Sequence, residues 1–246
     1  MVGDSDRSVA KGGAVAAIVV AGGSGERFGR AGGKQLAPAC GKPVLAWTLM
    51  ALDAAGCFDL FVVVCPGSRF EEYEAGAIVQ AGLSTPHMLA PAGETRQESV
   101  GSGLAAVPDG YDWVAIHDGA RPLVSSETVR RAVTAAMEGG IDGVVVGHAS
   151  VDTLKVVSEG RVLQTLDRER VWSAQTPQVF ALSRLRTAFD HARRSGFIGT
   201  DDASVLEHDG GSVGAVEGER SNLKVTTPED IEYLEAVLTL RQRRHD

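Results

Sequence analysis

The chain has 246 residues, enough for one large α/β domain or two small ones. It contains 24 Lys and Arg against 32 Asp and Glu, which gives a formal net charge of −8. This acidic balance argues against nucleic acid or an anionic membrane surface as a partner, so an anionic substrate would need a local basic pocket.

The cysteines and the apolar runs indicate the compartment. Cys40, Cys57 and Cys65 are odd in number, and their spacing fits neither a zinc site nor a disulfide framework. No apolar run approaches the roughly 18 residues that a membrane span requires. We therefore expect reduced thiols and a cytoplasmic protein, with a disordered N-terminal lead over residues 1–13 and a single domain over residues 14–246.

In chain order, short apolar runs alternate with amphipathic stretches. The apolar runs are typical of strands buried on both faces, and they lie at Val15–Val20, Phe61–Cys65, Trp113–His117 and Gly143–Val146. One helical pattern starts at Pro43, and three others cover Thr95–Val107, Ser126–Glu138 and Ser183–Ser195. A final helix is expected to begin with Thr227 as its N-cap and Pro228 at its first position. The alternation predicts an α/β fold with a Rossmann-like, doubly wound, mostly parallel sheet.

Residues 150–171 depart from this alternation. Val151 to Val157 and Val162 to Arg170 are hydrophilic, strand-like segments on either side of a Glu159-Gly160 turn. The pattern predicts a β-hairpin arm that protrudes from the sheet. Because such an arm has little core of its own, a second subunit is the simplest candidate for its packing partner. We expect a homodimer formed through the arm.

The first predicted strand runs directly into a glycine-rich segment, Ala21-Gly22-Gly23-Ser24-Gly25-Glu26-Arg27, with Lys34 shortly after it. Ligands bind at the carboxyl ends of parallel strands, and glycines let backbone N–H groups approach phosphate oxygens. With Arg27 and Lys34 as cations, the segment predicts a phosphate-binding loop. A merely tight strand-to-helix turn is the structural alternative.

Two common phosphate-binding motifs fail in this segment. Phe28 stands where a dinucleotide fingerprint needs its third glycine, and the second predicted strand ends in Pro66-Gly67 rather than in an acid. Gln35 follows Lys34 where a P-loop needs Ser or Thr. A nicotinamide oxidoreductase and a P-loop kinase are therefore disfavoured.

A second polar segment, from His117 to Pro122, follows another predicted strand at the same edge of the sheet. Asp118 could hold a sugar hydroxyl or a phosphate-bound Mg²⁺, and Arg121 could bind a phosphate with both arms of its guanidinium. The alternative is an Asp–Arg pair that locks the turn, and we interpret His117 as structural. Further on, Lys224 lies in a strand-like context, either as another cation of the site or as a solvated surface lysine.

Nine segments in register, spread over about Val15 to Leu240, resemble the 2-C-methyl-D-erythritol 4-phosphate cytidylyltransferase family. They are Gly23-Ser24-Gly25-Glu26-Arg27-Phe28, Lys34-Gln35, Gly93-Glu94-Thr95-Arg96-Gln97-Glu98-Ser99-Val100, His117-Asp118-Gly119-Ala120-Arg121-Pro122, Asp152-Thr153-Leu154-Lys155, Thr165-Leu166-Asp167-Arg168, Thr176-Pro177-Gln178, Thr200-Asp201-Asp202-Ala203-Ser204 and Asn222-Leu223-Lys224-Val225-Thr226. The resemblance implies transfer of CMP from CTP to methylerythritol phosphate, with release of pyrophosphate and with Mg²⁺ as the cofactor.

The resemblance also implies roles for individual residues. Those on the nucleotide side would hold the triphosphate, surround cytosine or face the sugar, and they are Arg27, Lys34, Ala21, Gly22, Gly23, Gly25, Gly93, Glu94, Ser99 and Asp118. On the polyol side, Lys224 and Thr176 would approach the substrate phosphate, with Arg121 nearby. The arm would carry Thr153 and Arg168 into the neighbouring active site, and no protein metal ligand is assigned.

Departures from the family pattern are small. Gly22 stands where the family usually has alanine, and Gly119 replaces another alanine, so each position loses only a methyl group. Two other functions stay open. One is a cytidylyltransferase for another polyol phosphate such as ribitol 5-phosphate, and the other is a non-catalytic nucleotide-binding subunit.

Overall fold

The computed structural model describes residues 13–23, 28 and 33–243, and a seven-stranded sheet runs through its centre. The strands of the described residues are β1 (Val15–Val20), β2 (Pro38–Ala39), β3 (Lys42–Pro43), β4 (Leu60–Cys65), β5 (His87–Pro91), β6 (Trp113–Asp118), β7 (Gly143–Ala149), β8 (Lys155–Ser158), β9 (Arg161–Thr165), β10 (Trp172–Ala181) and β11 (Val213–Glu217). The order across the central sheet is β11-β7-β10-β6-β1-β4-β5.

The sheet is mostly parallel, as predicted. Only β10 runs against its neighbours, and it pairs antiparallel with both β6 and β7. Strand β1 lies between β4 and β6 and pairs parallel with both. Because the chain builds outward from β1 in one direction and then returns to its other side, a crevice forms where β1 and β6 end.

Helices cover both faces of the sheet. They are α1 (Val44–Asp53), α2 (Phe70–Tyr73), α3 (Val79–Ala81), α4 (Arg96–Ala106), α5 (Ser126–Glu138), α6 (Leu182–Ser195), α7 (Asp202–His208) and α8 (Glu229–Gln242). One core cluster packs α1 and α5 on one face of β1, and the other packs α4, α6 and α7 on the opposite face. Alternate residues of β1 point into the two clusters, as strand geometry requires. Helix α8 belongs to a third, smaller cluster with Phe28 and Leu123.

Three differences from the predicted elements concern the segment around Lys224 and the starts of α8 and α1. The segment around Lys224 is irregular rather than a strand, because its backbone is held by single contacts such as Val225 N–H to Ala120 O at 2.8 Å. Pro228 occupies the N-cap position of α8, and the Asp230 carboxylate, rather than the Thr227 hydroxyl, accepts from the backbone N–H groups before the helix. Likewise Pro43 precedes α1 as its N-cap.

The predicted hairpin arm is present. Strands β8 and β9 pair antiparallel, and every residue from 155 to 165 is exposed. Glu159 and Gly160 both have positive φ, the conformation of a tight two-residue hairpin turn. The strands are shorter than the sequence suggested, because residues 168–170 form a 3₁₀ turn at the base of the arm.

Candidate active site

The crevice at the carboxyl ends of β1 and β6 holds a cavity of about 370 Å³. Its lining comes from five segments of the described chain, and the residues are Val20, Gly22, Gly23, Lys34, Gln35, Gly93, Glu94, Thr95, Arg96, Ser99, Asp118, Ala120 and Lys224. The glycine turn and the segment after β6 were both predicted to lie at this edge. The structure brings them together around one cavity.

Ala21, the first residue of the glycine-rich segment, is held by hydrogen bonds to β4 and α2. The Ala21 N–H donates to Val64 O at 2.7 Å, and the buried Tyr73 hydroxyl donates to Ala21 O at 3.1 Å. Both backbone groups of Ala21 are thus occupied, and the residue is fully buried beneath the cavity rather than lining it. Ala21 therefore anchors the turn, while Gly22 and Gly23 face the cavity.

The N-terminus of α4 forms the wall opposite this turn. Thr95 and Glu98 make a reciprocal capping box, and the Ser99 hydroxyl accepts from Gly93 N–H at 3.1 Å while donating to Thr95 O at 2.9 Å. A side chain at Gly93 would collide with Glu98, so this tight approach requires glycine. Gly93, Glu94 and Ser99 are therefore presented as one rigid edge.

Asp118 is the electrostatic centre of the cavity. Its carboxylate lies 2.9 Å from Lys224 Nζ, 3.2 Å from Arg96 Nε and 3.4 Å from Arg121 Nε. Although burial by itself would raise the pKa of Asp118, the charges of Lys224, Arg96 and Arg121 hold it well below its usual range. The carboxylate is therefore ionised at neutral pH.

Arg96 and Asp202 complete the cluster, and neither was assigned a role from the sequence. Arg96 binds the buried Asp202 carboxylate with two N–H groups, at 2.8 and 3.1 Å, while its Nε reaches Asp118. One clue was available in the sequence. Arg96 begins a helix, where a cation opposes the helix dipole and needs an acidic partner.

The other predicted residues fall into three groups. Arg121 contacts Asp118 from outside the cavity lining, and Thr176 lies buried beneath it, its hydroxyl accepting from Asp118 N–H at 3.0 Å. Thr153 and Arg168 are exposed on the arm and do not line the cavity of their own chain. Gly25 and Arg27 lie outside the described residues.

The cavity lining offers few ligands to a divalent cation. No group of three or more His, Cys, Asp or Glu side chains within the described ranges could hold a metal ion. Glu94 and Asp118 supply the carboxylates of the cavity lining, and three cations already surround Asp118. This donor set fits Mg²⁺ that arrives bound to substrate phosphates, with at most one protein carboxylate nearby.

An α/β sheet with Gly22, Gly23, two lysines and a buried carboxylate at its switch point is the arrangement of a protein that binds a phosphorylated ligand. A family model described as 2-C-methyl-D-erythritol 4-phosphate cytidylyltransferase matches residues 15–240. The chain belongs to this family and is a cytidylyltransferase enzyme.

Individual relatives agree with the family model. Proteins of that name from Thermosynechococcus vestitus and Geotalea uraniireducens are each 39% identical, over 92% and 91% of this chain and 96% of either relative. Among solved structures, 4-diphosphocytidyl-2C-methyl-D-erythritol synthase from Anaerococcus prevotii has a TM-score of 0.82 at 27% identity, covering 92% of this chain and 99% of that one. The enzyme of the same family from Thermus thermophilus has a TM-score of 0.72 at 30% identity, covering 90% and 98%.

Proposed function

We propose that this chain transfers CMP from CTP to 2-C-methyl-D-erythritol 4-phosphate, giving 4-diphosphocytidyl-2-C-methyl-D-erythritol and pyrophosphate in non-mevalonate isoprenoid precursor synthesis. Family membership over residues 15–240 supports the reaction. The observation that carries its assignment to this cavity is that Lys34, Lys224 and Asp118 line a single crevice, with Lys224 bound to Asp118.

The chemical problem is the approach of two polyanions. A phosphate monoester carries roughly −1.5 to −2 charge and must attack the α-phosphorus of CTP, which already carries negative charge. At about 4 Å and an effective dielectric of about 20, one pair of unit charges interacts by about 4 kcal/mol. A few cations therefore decide whether the approach occurs, and the acidic chain concentrates several of them here.

Lys34 is assigned to the triphosphate and stabilises the charge that develops on the pentacoordinate phosphorus. Arg27 is assigned the same task on the same loop, although it lies outside the described residues. The edge of the cavity formed by Gly93, Glu94 and Ser99 is assigned to cytosine, with backbone groups of Gly22 and Gly23 against the phosphates. No general base is needed, because a phosphate dianion already carries its lone pair.

Lys224 and Arg121 are assigned to the phosphate of the polyol substrate, which they orient for in-line attack. Both bind the Asp118 carboxylate, at 2.9 and 3.4 Å, which orients them before a substrate arrives. Asp118 would face a hydroxyl of the polyol or of ribose. Thr176 would support this side through its hydrogen bond to Asp118 N–H.

Mg²⁺ is part of the proposal as a cofactor that screens the charge of the pyrophosphate leaving group. Because the cavity offers no cage of protein ligands among the described residues, we expect the ion to bind with CTP rather than before it. Adding a chelator should abolish turnover but leave the thermal unfolding temperature of the substrate-free protein unchanged. A lower unfolding temperature in chelator would contradict this assignment.

A homodimer through the arm is also proposed. The arm exposes apolar side chains that its own chain does not cover, and they are Val151, Val156, Val157, Val162 and Leu163. Burial of such a surface against a second subunit would explain its composition. In the dimer, Thr153 and Arg168 would reach the partner's cavity.

A cytoplasmic location is proposed on the evidence of the thiols. Cys40, Cys57 and Cys65 are all free, and within the described part of the chain no helix is long and apolar enough to cross a membrane. The division into a lead over residues 1–13 and one nucleotidyltransferase domain over residues 14–246 stays a prediction.

The decisive experiment measures pyrophosphate release by the purified chain from CTP, Mg²⁺ and methylerythritol phosphate, with ribitol 5-phosphate in parallel. We expect Lys34→Ala to lower kcat by a factor on the order of 100, the usual scale for one group that stabilises developing charge. Lys42→Ala is the matched control, because Lys42 bonds Gln80 O outside the cavity.

Each contrary outcome of this assay has its own meaning. Faster turnover of ribitol 5-phosphate would reassign the substrate. Absence of pyrophosphate release would indicate a non-catalytic nucleotide-binding subunit. A near-normal kcat for Lys34→Ala would overturn the role assigned to this lysine.

A further inference from the structure

Four residues beneath the polyol side of the cavity are joined in a closed ring of hydrogen bonds. His117 Nδ1 lies 3.1 Å from the Thr176 hydroxyl, and His117 Nε2 lies 3.3 Å from Arg121 O. Arg121 in turn donates from its guanidinium to Asn222 O at 2.7 Å. Asn222 closes the ring by donating from Nδ2 to Thr176 O at 2.9 Å.

The ring joins three parts of the chain that are far apart in sequence. His117 and Arg121 flank the end of β6, Thr176 lies in β10, and Asn222 lies in the segment before α8. His117, Thr176 and Asn222 are all buried. The ring thereby fixes both the side chain of Arg121 and the backbone from which Lys224 projects two residues later.

The hydrogens of the ring have one consistent arrangement. Burial lowers the pKa of His117 to about 4, so its imidazole is neutral at physiological pH. Since the carbonyl of Arg121 can only accept, Nε2 carries the hydrogen and Nδ1 accepts from the Thr176 hydroxyl. That hydroxyl oxygen also accepts from Asp118 N–H, which ties the ring to the centre of the cavity.

We propose that His117 and Asn222 are positioning residues, which close this ring and thereby hold Arg121, Thr176 and Lys224 in place for the phosphate of the polyol substrate. This inference rests on the proposed function. Neither residue lines the cavity, so each acts through its neighbours. By contrast, the edge assigned to cytosine is held by the capping box of Thr95 and Glu98, which shares no hydrogen bond with the ring.

The test compares the KM values of the two substrates in the full-length chain. Asn222→Ala should raise the KM for methylerythritol phosphate about tenfold, the equivalent of one hydrogen bond, and leave the KM for CTP within about twofold. His117→Phe should act in the same direction. His117→Gln can retain the donor toward Arg121 O, so we expect it to restore part of the affinity.

The double variant examines whether the two residues belong to one ring. Once the ring is open, a second break removes little more, so His117→Phe combined with Asn222→Ala should resemble either single variant. Effects that multiply would overturn the proposal. Equal rises in both KM values, or no rise, would also overturn it. The His117→Gln variant decides the matter if Asn222→Ala does not fold.

Asp53→Ala is the matched control for loss of a loop anchor. The Asp53 carboxylate accepts hydrogen bonds from the backbone and hydroxyls of Ser84 and Thr85, on a loop that does not line the cavity. We expect it to lower the unfolding temperature without separating the two KM values. If wild-type chain does not use methylerythritol phosphate at all, the proposed function fails rather than the ring.

Discussion

At the scale of single residues, Asp118 shows how an acidic molecule can bind two polyanions. Its carboxylate neutralises part of the charge of Lys224, Arg96 and Arg121, so that these cations can be packed side by side before a substrate arrives. A buried carboxylate is costly to leave unpaired, and here three partners compensate it. The substrate phosphate then enters a site whose cations are already oriented.

Gly22 illustrates how a neighbour can compensate for a small substitution. From the sequence alone, this position lacks the methyl group of the alanine that the family usually carries. In the structure, however, a methyl at Gly22 would collide with the methyl of Ala92. The space is therefore filled from the opposite wall, and the alanine that the family usually carries at position 22 would fit only if residue 92 were smaller.

We expect Gly22→Ala alone to destabilise the fold by about 1 to 3 kcal/mol, the usual cost of overpacking, and to lower the unfolding temperature. Adding Ala92→Gly should restore most of that loss, because it removes the colliding methyl. Calorimetric unfolding of the two single variants and the double variant measures the coupling. Gly23→Ala is the control, since a methyl there would meet nothing within 4 Å. Equal losses in Gly22→Ala and in the double variant would refute the pairing.

His117 should make the stability of the fold depend on pH in a defined window. Its pKa falls from an ordinary value near 6.5 to about 4 in the folded chain because burial disfavours the charged ring. Between these pH values the unfolded chain binds a proton that the folded chain does not, so stability is lost as the pH falls from 6.5 to 4. The expected loss is roughly 3 kcal/mol.

Urea unfolding at several pH values checks this dependence. Asp118, Arg121 and Lys224 are the charged groups that act on His117, and of these only Asp118 titrates under acidic conditions. Because its pKa lies below its usual range, its own contribution is lost at lower pH than that of His117. His117→Gln should therefore flatten the curve between pH 6.5 and 4. An unchanged slope in that variant would show that other groups cause the loss.

At the scale of elements, the sequence predicted those parts that depend on local pattern. Strand β1, helix α5 and the Glu159-Gly160 turn were predicted because apolar runs, amphipathic stretches and paired turn residues are local features. The direction of β10 was not predictable in this way, since a strand's orientation depends on the strands that flank it. The partners of Arg96 were missed for the same reason, as Asp202 lies far along the chain.

The surface of the arm can be changed without disturbing the core of the fold. Its strands contribute no residue to the buried clusters of the described chain, so changes on its surface should leave the sheet intact. If the proposed dimer forms through the arm, the double substitution Val162→Lys and Leu163→Lys should convert it to monomers in sedimentation velocity experiments. The two side chains are 60% and 66% exposed in the single chain, and charges there would oppose burial against a partner.

The control for the arm variant is Val79→Lys. Val79 is 67% exposed but lies on α3, away from the arm. This variant should keep the oligomeric state of the wild type. A dimer that survives both lysines on the arm would place the interface elsewhere.

At the scale of the whole molecule, the predicted site residues do not all lie around the cavity of one chain. The cavity collects residues from the ends of β1 and β6, the start of α4, and the segments that hold Lys34 and Lys224. Thr153 and Arg168, by contrast, are exposed on an arm that extends from the sheet. If both belong to the site, each cavity must be completed by the partner's arm. A single chain would then be inactive, and activity would require the dimer.

Mixed dimers test this sharing directly. Arg168→Ala and Lys34→Ala homodimers should each be nearly inactive. In a heterodimer, however, the cavity of the Arg168→Ala chain retains Lys34 and receives an intact arm from its partner. With random exchange of a symmetric dimer, half of the dimers are mixed and each has one intact site, so about a quarter of wild-type activity should return.

A mixture of Thr153→Ala and Arg168→Ala chains is the control and should recover nothing, because no cavity then receives an intact arm. Without recovery in the first mixture, the arm would complete no partner site, and its apolar surface would serve association alone.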